Sequence, residues 1–308
     1  MIKVLSLLIV MLIFISPSIF VNRTEKIPII LDTDIGYYIE DDFALALALA
    51  MPEIDLKAVT IVNSFEAGEK HTKQILDSVN REDIPVAFGK IPTNQTEIEK
   101  INNFDWSKKS SNEAVELIHN ITSKEKVTIV AIGPLTNIGE AITKYPEIKG
   151  NIKEIIYMGG AIYCGYDGNN NPEPEWNVIL DVPNAKVVFE SGIPLYIVPL
   201  DVTWDLILWK DKRDMLEKSN TRLTNTLMEF HKEFSSKSGE VNPIMFDPPA
   251  VICAADKDIF AYRNLHIDIT DNGLTVINYN EPPNAYVALW AQKDKIIDVI
   301  VEGILKKR

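Results

Sequence analysis

The chain has 308 residues, enough to bury a sizeable core in one large domain or two small ones. Its 31 lysines and arginines are outnumbered by 44 aspartates and glutamates, and the resulting net charge of −13 argues against nucleic acid as the main partner. With two cysteines and four histidines, the chain lacks the residues for a disulfide framework or a zinc site, so a bound metal would be a hard cation held by oxygen.

The first 22 residues differ in composition from the rest of the chain. Lys3 precedes an apolar run of 18 residues, from Val4 to Val21, with a proline and small residues near its end. This pattern is typical of a secretory signal peptide, and its length also fits an uncleaved membrane anchor; a cytosolic chain is the remaining alternative. Either of the first two interpretations predicts a protein exported from the cytoplasm (periplasmic, extracellular or membrane-anchored). Residues 23–308 would then form one folded domain, and only residues 1–22 would contact the membrane.

From residue 27 onward, short apolar runs alternate with helical stretches. Strands are predicted at 27–31, 56–62, 86–88, 127–132, 155–157 and 195–198. Helices are predicted between them at 42–51, 68–79 and 112–121, up to residue 142 after the fourth strand, and at 185–190. The remainder is predicted to contain a helix at 220–234, a hairpin at 265–280 and a closing helix at 295–305. The alternation predicts an α/β fold, with an open, mainly parallel sheet, helices on both faces and a site at the carboxyl ends of the strands.

Five acidic residues crowd the loop after the first predicted strand. They are Asp32, Asp34, Glu40, Asp41 and Asp42. Asp41 and Asp42 alone could be an acidic helix start, where the helix dipole favours negative charge. That explanation does not cover Asp32 and Asp34, which lie at the strand end, where parallel sheets bind ligands. Because so many carboxylates repel one another unless a cation lies among them, the cluster predicts a divalent metal site.

The pattern of this loop, Asp-x-Asp-x-Gly followed by Asp-Asp and an Ala/Leu-rich helix, resembles the inosine-uridine-preferring nucleoside hydrolase family. The loop between Asp34 and Asp41 is longer than the family pattern by about three residues, and the extra residues include Tyr37 and Tyr38. Three further segments match in the same order: A-I-G-P-L-T-N at 131–137, Y-M-G-G at 157–160 with E-W-N at 175–177, and F-D-P-P-A at 246–250. Taken singly, such segments are also typical of ordinary turns and polar loops. Together they extend the resemblance over residues 27–305.

The resemblance implies a Rossmann-like core and a Ca²⁺-dependent enzyme that hydrolyses the N-glycosidic bond of ribonucleosides to free base and ribose. The metal ligands it implies are the side chains of Asp34, Asp42 and Asp247 and the backbone carbonyl of Ile132. It also implies Asp34 as the general base that takes a proton from a water molecule activated by the metal. The residues it implies for substrate binding are Asp41, Asn63, Met158, Asn169, Glu175 and Asn177. A homo-oligomer, either a dimer or a tetramer, is implied as well.

Two positions depart from the family pattern. Phe246 lies where many members have a histidine that helps to protonate the leaving base. His231 could replace it, although a lone histidine on a helix is more typical of packing, and the base could instead stack on Tyr37, Tyr38 or Trp204. Asn63 lacks the preceding glycine found in many members. These departures leave open the leaving-group acid and the preference for purines or pyrimidines.

Three alternatives are weighed against this interpretation. In a haloacid-dehalogenase-type phosphatase Asp32 would be the nucleophile and Asp34 the acid, but Gly36 lies where that family has threonine or valine. A secreted, Ca²⁺-dependent riboside-binding protein with little turnover would fit the phenylalanine at position 246. A hydrolase of a modified riboside is the third alternative.

Overall fold

A computed structural model describes residues 25–62, 66–98 and 111–307. The segment 1–22, on which the export prediction depends, lies outside these residues, and so does Asn63. Within the described ranges the predicted α/β class and its alternation of strands and helices are confirmed. None of the helices in these ranges has the length and apolar character needed to cross a bilayer.

The strands of the described residues are β1 (Ile27–Thr33), β2 (Ile54–Ile61), β3 (Val86–Phe88), β4 (Val127–Ala131), β5 (Ile152–Met158), β6 (Leu195–Val198), β7 (Phe260–Leu265), β8 (Ile267–Ile269), β9 (Thr275–Ile277) and β10 (Ala285–Ala291). Eight of them form one sheet in the order β3-β2-β1-β4-β5-β6-β10-β7. Neighbouring strands in it are parallel except β7, which pairs antiparallel with β10 at the edge. β8 and β9 form a separate antiparallel pair within the predicted hairpin.

The helices are α1 (Glu40–Ala50), α2 (Glu66–Ser78), α3 (Gln95–Ile98), α4 (Glu113–Thr122), α5 (Thr136–Lys144), α6 (Trp176–Leu180), α7 (Val182–Phe189), α8 (Leu200–Thr203), α9 (Lys210–Ser219), α10 (Arg222–Ser238), α11 (Pro248–Ala255) and α12 (Lys293–Lys306). The longer elements that were not predicted from the sequence are α9, α11, β7 and β10. α11 begins with Pro248 and Pro249. Proline fits the first turn of a helix but not its interior, so two consecutive prolines in the sequence suggest a loop rather than a helix.

Two apolar layers enclose the sheet. Ile29 and Leu31 of β1 belong to one layer and Ile30 to the other, because successive strand side chains point to opposite faces. α1 packs with α11 and α12 on the first face, and α5 packs with α4 and α7 on the second. α1 is buried from Asp41 to Leu49, which is typical of a helix enclosed by its neighbours on all sides.

The carboxyl ends of β1, β4 and β5 lie side by side in the middle of the sheet. The strand register pairs Asp32 with Ala131, and Ala131 with Tyr157. The order of the strands changes direction here, because β2 and β3 lie on one side of β1 while β4 and later strands lie on the other. Such a switch point leaves a crevice beyond the strand ends, where open α/β sheets bind their ligands.

Candidate active site

A cavity of about 330 Å³ lies beyond the ends of β1, β4 and β5. Its size is typical of a small-molecule site. Its acidic side chains are Asp34, Glu40, Asp41, Glu175, Glu240 and Asp247. Its aromatic side chains are Tyr38, Tyr166, Trp176, Phe234 and Phe246. Among the described residues that line the cavity there is no lysine, arginine or histidine.

Ten site residues were predicted from the sequence, and the cavity brings seven of them together. These seven are Asp34, Asp41, Ile132, Met158, Glu175, Asn177 and Asp247. Asp42 and Asn169 are among the described residues but do not line the cavity. The tenth, Asn63, lies outside the described residues.

Three aspartates reach the cavity from three different elements. Asp34 follows β1, Asp41 lies in the first turn of α1, and Asp247 is the N-cap residue of α11. Because helix N-termini carry partial positive charge, α1 and α11 both stabilise a carboxylate at this position. Gly133 lets the turn after β4 approach Asp34 closely. A Cβ at residue 133 would lie 2.9 Å from both the backbone nitrogen and Oδ1 of Asp34.

These carboxylates repel one another across the cavity. The pKa of Asp34 is raised well above its usual range, first by burial and then by the charge of Asp41. The pKa of Asp247 is also raised, first by burial and then by the charges of Asp41 and Glu40. No cationic side chain among the described lining residues compensates this charge. The donor set therefore fits a divalent cation bound through oxygen.

Several oxygen atoms at the acidic end of the cavity accept hydrogen bonds from protein groups. Within the described part of the chain, no three His, Cys, Asp or Glu side chains are arranged to hold a metal ion. Asp41 accepts a hydrogen bond from the hydroxyl of Thr33. The side-chain amide of Asn177 donates to the carbonyls of Met158, at 3.1 Å, and Ile132, at 3.4 Å. A carboxylate or carbonyl oxygen that accepts one hydrogen bond keeps a further lone pair, so these bonds are compatible with metal binding.

The structure does not support the assignment of Asp42 as a metal ligand. Its carboxylate is fully buried and lies 2.9 Å from Nδ1 of His71 on α2. The ring of His71 stacks on Phe230 of α10, with 3.8 Å between the ring centroids. Successive residues of an α-helix point about 100° apart, so Asp41 and Asp42 face different sides of α1. Asp42 therefore connects α1 to α2 and α10, whereas Asp41 faces the cavity.

Glu40, which received no role from the sequence, lines the cavity beside Asp41. Burial raises its pKa, a backbone hydrogen bond partly offsets the shift, and the charge of Asp34 adds to it. The acidic pair that faces the cavity is therefore 40–41 rather than 41–42. Three consecutive acids contain two overlapping pairs, and in a lengthened loop the spacing alone does not distinguish them.

Glu175 is the N-cap residue of α6 and orders the loop before it. Its carboxylate accepts backbone hydrogen bonds from Asn177 and Gly160, both at 3.0 Å. Tyr166, which was not singled out in the sequence, donates its hydroxyl to Glu175 at 3.4 Å and accepts from the backbone N–H of Trp176 at 2.8 Å. Burial raises the pKa of Glu175, while these hydrogen bonds favour its charged form. Glu175 thereby positions Tyr166, Trp176 and Asn177 along the cavity.

Other residues considered from the sequence make contacts outside the cavity. Asn169 is exposed, and its Oδ1 accepts a hydrogen bond from the backbone N–H of Asn171 at 2.9 Å. His231 is buried on α10, with Nε2 3.0 Å from the carbonyl oxygen of Val241. Trp204 packs below Lys293, whose Nζ lies 5.4 Å from the ring centroid. The substrate-binding assignment of Asn169 and the replacement of the missing histidine by His231 are therefore not supported.

The mouth of the cavity is aromatic. Tyr38, from the lengthened loop, packs edge-on against Phe234 of α10 with 6.1 Å between ring centroids. Tyr166 and Phe246 form a second edge-on pair at 5.9 Å. The extra loop residues thus supply part of the wall of the mouth. Phe246 contributes to the cavity a side chain that packs and cannot donate a proton.

The chain matches the family described as inosine-uridine preferring nucleoside hydrolase over residues 29–298. It is similar to the pyrimidine-specific ribonucleoside hydrolases RihA of Salmonella typhi and Salmonella typhimurium, each 30% identical over 90% of this chain and 98% of the relative. Among solved structures it is similar to a purine-preferring ribonucleoside hydrolase from Gardnerella vaginalis (TM-score 0.75, 24% identity). A second solved structure is an inosine-uridine preferring nucleoside hydrolase from Bacillus anthracis (TM-score 0.73, 20% identity); both cover 91% of this chain and 99% of their own. The chain therefore belongs to the inosine-uridine preferring nucleoside hydrolase family and is an N-glycosidase that hydrolyses nucleosides.

Proposed function

We propose that the protein is a Ca²⁺-dependent ribonucleoside hydrolase that releases free base and ribose. One observation carries this proposal: Asp34, Asp41 and Asp247 line one cavity whose described wall contains no cationic side chain. The family is a group of metal-dependent hydrolases, and this acidic end is where the residues of this chain suit a metal.

We assign the metal ligands as the carboxylates of Asp34, Asp41 and Asp247 and the carbonyl of Ile132. Asp41 thereby takes the role first given to Asp42. Three carboxylates and a carbonyl favour Ca²⁺ over Mg²⁺, because Mg²⁺ is usually bound through one or two carboxylates and keeps several water molecules. When bound, the ion would position and acidify the water molecule that attacks the sugar.

The residues of the chain would hold the sugar and move the proton. Asp34 keeps part of its surface open to the cavity, and it would accept the proton of the attacking water as general base. Glu40 and Asn177 would bind ribose hydroxyls, and Met158 would pack against the sugar. Glu175 supports this arrangement through its hydrogen bond to the backbone of Asn177. Holding the ribose in one orientation supplies a large share of the barrier reduction.

The base would leave from the aromatic mouth. The expected transition state has oxocarbenium character, and water attacks the face of the sugar opposite the base. Tyr38 and Phe234 offer an aromatic wall on which the base would rest. Because Phe246 cannot protonate the base, we expect turnover to depend strongly on how readily the base leaves as an anion.

A second candidate function is a Ca²⁺-dependent riboside-binding protein with little turnover. It is favoured by Phe246, which offers no proton donor to the leaving base. A hydrolase specialised for a modified riboside would share the same inner site and would differ in its preference at the mouth.

The deciding experiment measures free ribose released from a panel of ribonucleosides, with Ca²⁺ and after chelation. The proposal expects release that chelation abolishes, that added Ca²⁺ restores and that Asp34→Ala removes. If ribosides raise the melting temperature in Ca²⁺ without any ribose release, the binding protein or an untested riboside becomes the better explanation. If Ca²⁺ does not bind at all, the assignment of the site is wrong.

We also propose that the protein acts outside the cytoplasm, with residues 23–308 as its catalytic domain, because residues 1–22 have the composition of a signal peptide or anchor. Cell fractionation and N-terminal sequencing of the mature protein test this proposal. A homodimer or homotetramer is proposed from the family resemblance. If light scattering of the purified protein gives the mass of a single chain, this proposal is wrong.

A further inference from the structure

The mouth of the cavity carries one carboxylate that the proposed reaction does not use. Glu240 follows the C-terminal end of α10 and lines the cavity together with Tyr38 and Phe234. Burial raises the pKa of both Tyr38 and Glu40, and the charge of Glu240 adds to both shifts. Glu240, Tyr38 and Glu40 therefore share one cavity, in which their charges influence one another.

The other polar groups at the mouth already have protein partners. The hydroxyl of Tyr166 bonds with Glu175 and with the backbone of Trp176. The hydroxyl of Tyr38 bonds with Tyr37. For Glu240, burial alone shifts the pKa, and no described residue donates a hydrogen bond to its carboxylate. This carboxylate is therefore available to a ligand.

A nucleoside bound with its ribose at the acidic end must extend its base toward the mouth, because one bond joins the two. In purines and pyrimidines alike, the edge farthest from the sugar is the Watson–Crick edge, on which proteins read an extruded base. Cytosine presents an amino group there, whereas uracil presents a carbonyl oxygen at the same position. Guanine carries a 2-amino group that hypoxanthine lacks.

We propose that Glu240 selects bases that carry an exocyclic amino group, an inference that rests on the proposed function. An ionised carboxylate accepts hydrogen bonds and donates none, so it satisfies an amino N–H and repels a carbonyl oxygen. Glu240 therefore raises kcat/KM for cytidine relative to uridine and for guanosine relative to inosine, in addition to any difference in how readily the bases leave. Because Glu240 lies partly in solvent, it changes the ratio of kcat/KM within each pair by about three- to tenfold rather than more.

The experiment uses these two substrate pairs, in each of which one member carries the amino group. We would measure kcat/KM for all four nucleosides with the wild-type protein, Glu240→Gln and Glu229→Gln. Glu229 is an exposed residue of α10 that does not line the cavity, so its variant removes the same charge without touching the mouth. Glutamine keeps the size of glutamate but offers both a donor and an acceptor. In each pair, the ratio of kcat/KM for the nucleoside with the amino group to kcat/KM for its partner should fall about three- to tenfold in Glu240→Gln and stay unchanged in Glu229→Gln.

The outcomes separate this inference from the proposed function. If the wild-type protein releases ribose but the ratio within each pair is the same in Glu240→Gln, the inference is overturned while the hydrolase stands. If no ribose is released from any nucleoside, the proposed function fails, and calorimetric binding of the same four nucleosides decides the inference. A preference for the amino member that Glu240→Gln removes supports it, and equal binding or no binding overturns it.

Discussion

The inner end of the cavity is lined by carboxylates that the sheet and two helix N-termini hold in place, whereas its mouth is lined by aromatic side chains from loops and from the end of α10. At the inner end, Asp34 and Asp247 lie next to regular elements, which fixes them relative to one another. At the mouth, Tyr38 and Glu240 belong to irregular segments. Loops vary more freely than the elements they connect. We therefore expect the inner end to carry out the reaction and the mouth to determine the choice of substrate.

The inner end should show the largest effect, at Asp34. Asparagine keeps the shape of this side chain but neither accepts a proton nor brings charge to a cation, so we expect kcat/KM to fall by about 10²–10⁴ in Asp34→Asn. The metal-free variant should be at least as stable as the wild-type protein, because one of several mutually repelling carboxylates is removed. Ribose release and thermal melting in chelator measure the two effects. If the variant loses stability as well as activity, Asp34 has a role in folding instead.

Asp41 and Asp42 offer a matched pair of neighbouring aspartates. Asp41→Asn should lower kcat/KM by about 100-fold and remove the rise in melting temperature that Ca²⁺ causes, because it deletes a proposed ligand. Asp42→Asn should keep the Ca²⁺ effect but lower the free energy of unfolding by about 1–3 kcal/mol, because asparagine brings no charge to the buried hydrogen bond with His71. Calcium titrations of both variants, followed by melting, make the comparison. The reverse result would restore Asp42 as the ligand.

The pair also shows how far the sequence predicts the site. Asp34 and Ile132 each follow a strand that the hydrophobic pattern locates, so their convergence follows from a parallel sheet. Asp247 precedes α11, which the pattern did not locate, and only the family resemblance pointed to this residue. The choice between Asp41 and Asp42 does not follow, because it depends on which residue of the first turn of α1 faces the cavity.

The mouth could not be predicted in the same way. Tyr38 precedes Phe234 and Glu240 by some 200 positions in the sequence. It meets them only because α10 packs beside the lengthened loop. The sheet shows a similar limit, since the strands predicted from the regular alternation were found, whereas β7 and β10, which follow the long helical stretch, were not. Contacts between distant segments carry no local pattern that a single sequence reveals.

Restoring a proton donor at the mouth should raise activity. We expect Phe246→His to increase kcat by about tenfold for nucleosides with poor leaving bases, because a general acid then assists departure of the base. A riboside with a good leaving group, such as 4-nitrophenyl riboside, should gain little. Phe246→Leu is the control, since it removes the ring contact with Tyr166 without adding an acid. The same gain for every leaving group would rule out acid assistance.

Tyr38 tests whether the base rests at the mouth. Stacking on an aromatic ring contributes about 1–3 kcal/mol per base, and Tyr38 is partly exposed, so we expect KM to rise about fivefold in Tyr38→Ala. Tyr38→Phe keeps the ring and should stay near the wild-type value. Because the reaction depends on the inner end, kcat should change less than KM in both variants. An unchanged KM in Tyr38→Ala would place the base elsewhere.

The smallest effect concerns pH and again distinguishes the two ends. The pKa values of Asp34, Asp41 and Asp247 are raised in the folded chain. The usual pKa of aspartate is about 3.9. At pH values between this one and the raised ones, the folded state therefore binds more protons than the unfolded state. The stability of the metal-free protein should therefore fall as pH rises through this window, with about 2–4 °C of melting temperature lost per kcal/mol.

Bound Ca²⁺ compensates the inner charges, so melting temperatures measured at about pH 5 and about pH 8 should differ less in Ca²⁺ than in chelator. Asp34→Asn should reduce the slope in chelator, because it removes one of the titrating inner groups. Glu240→Gln should leave the slope nearly unchanged, since this carboxylate lies partly in solvent at the mouth. A melting temperature that rises with pH in chelator would mean that burial and repulsion at the inner end do not dominate the electrostatics of the folded chain.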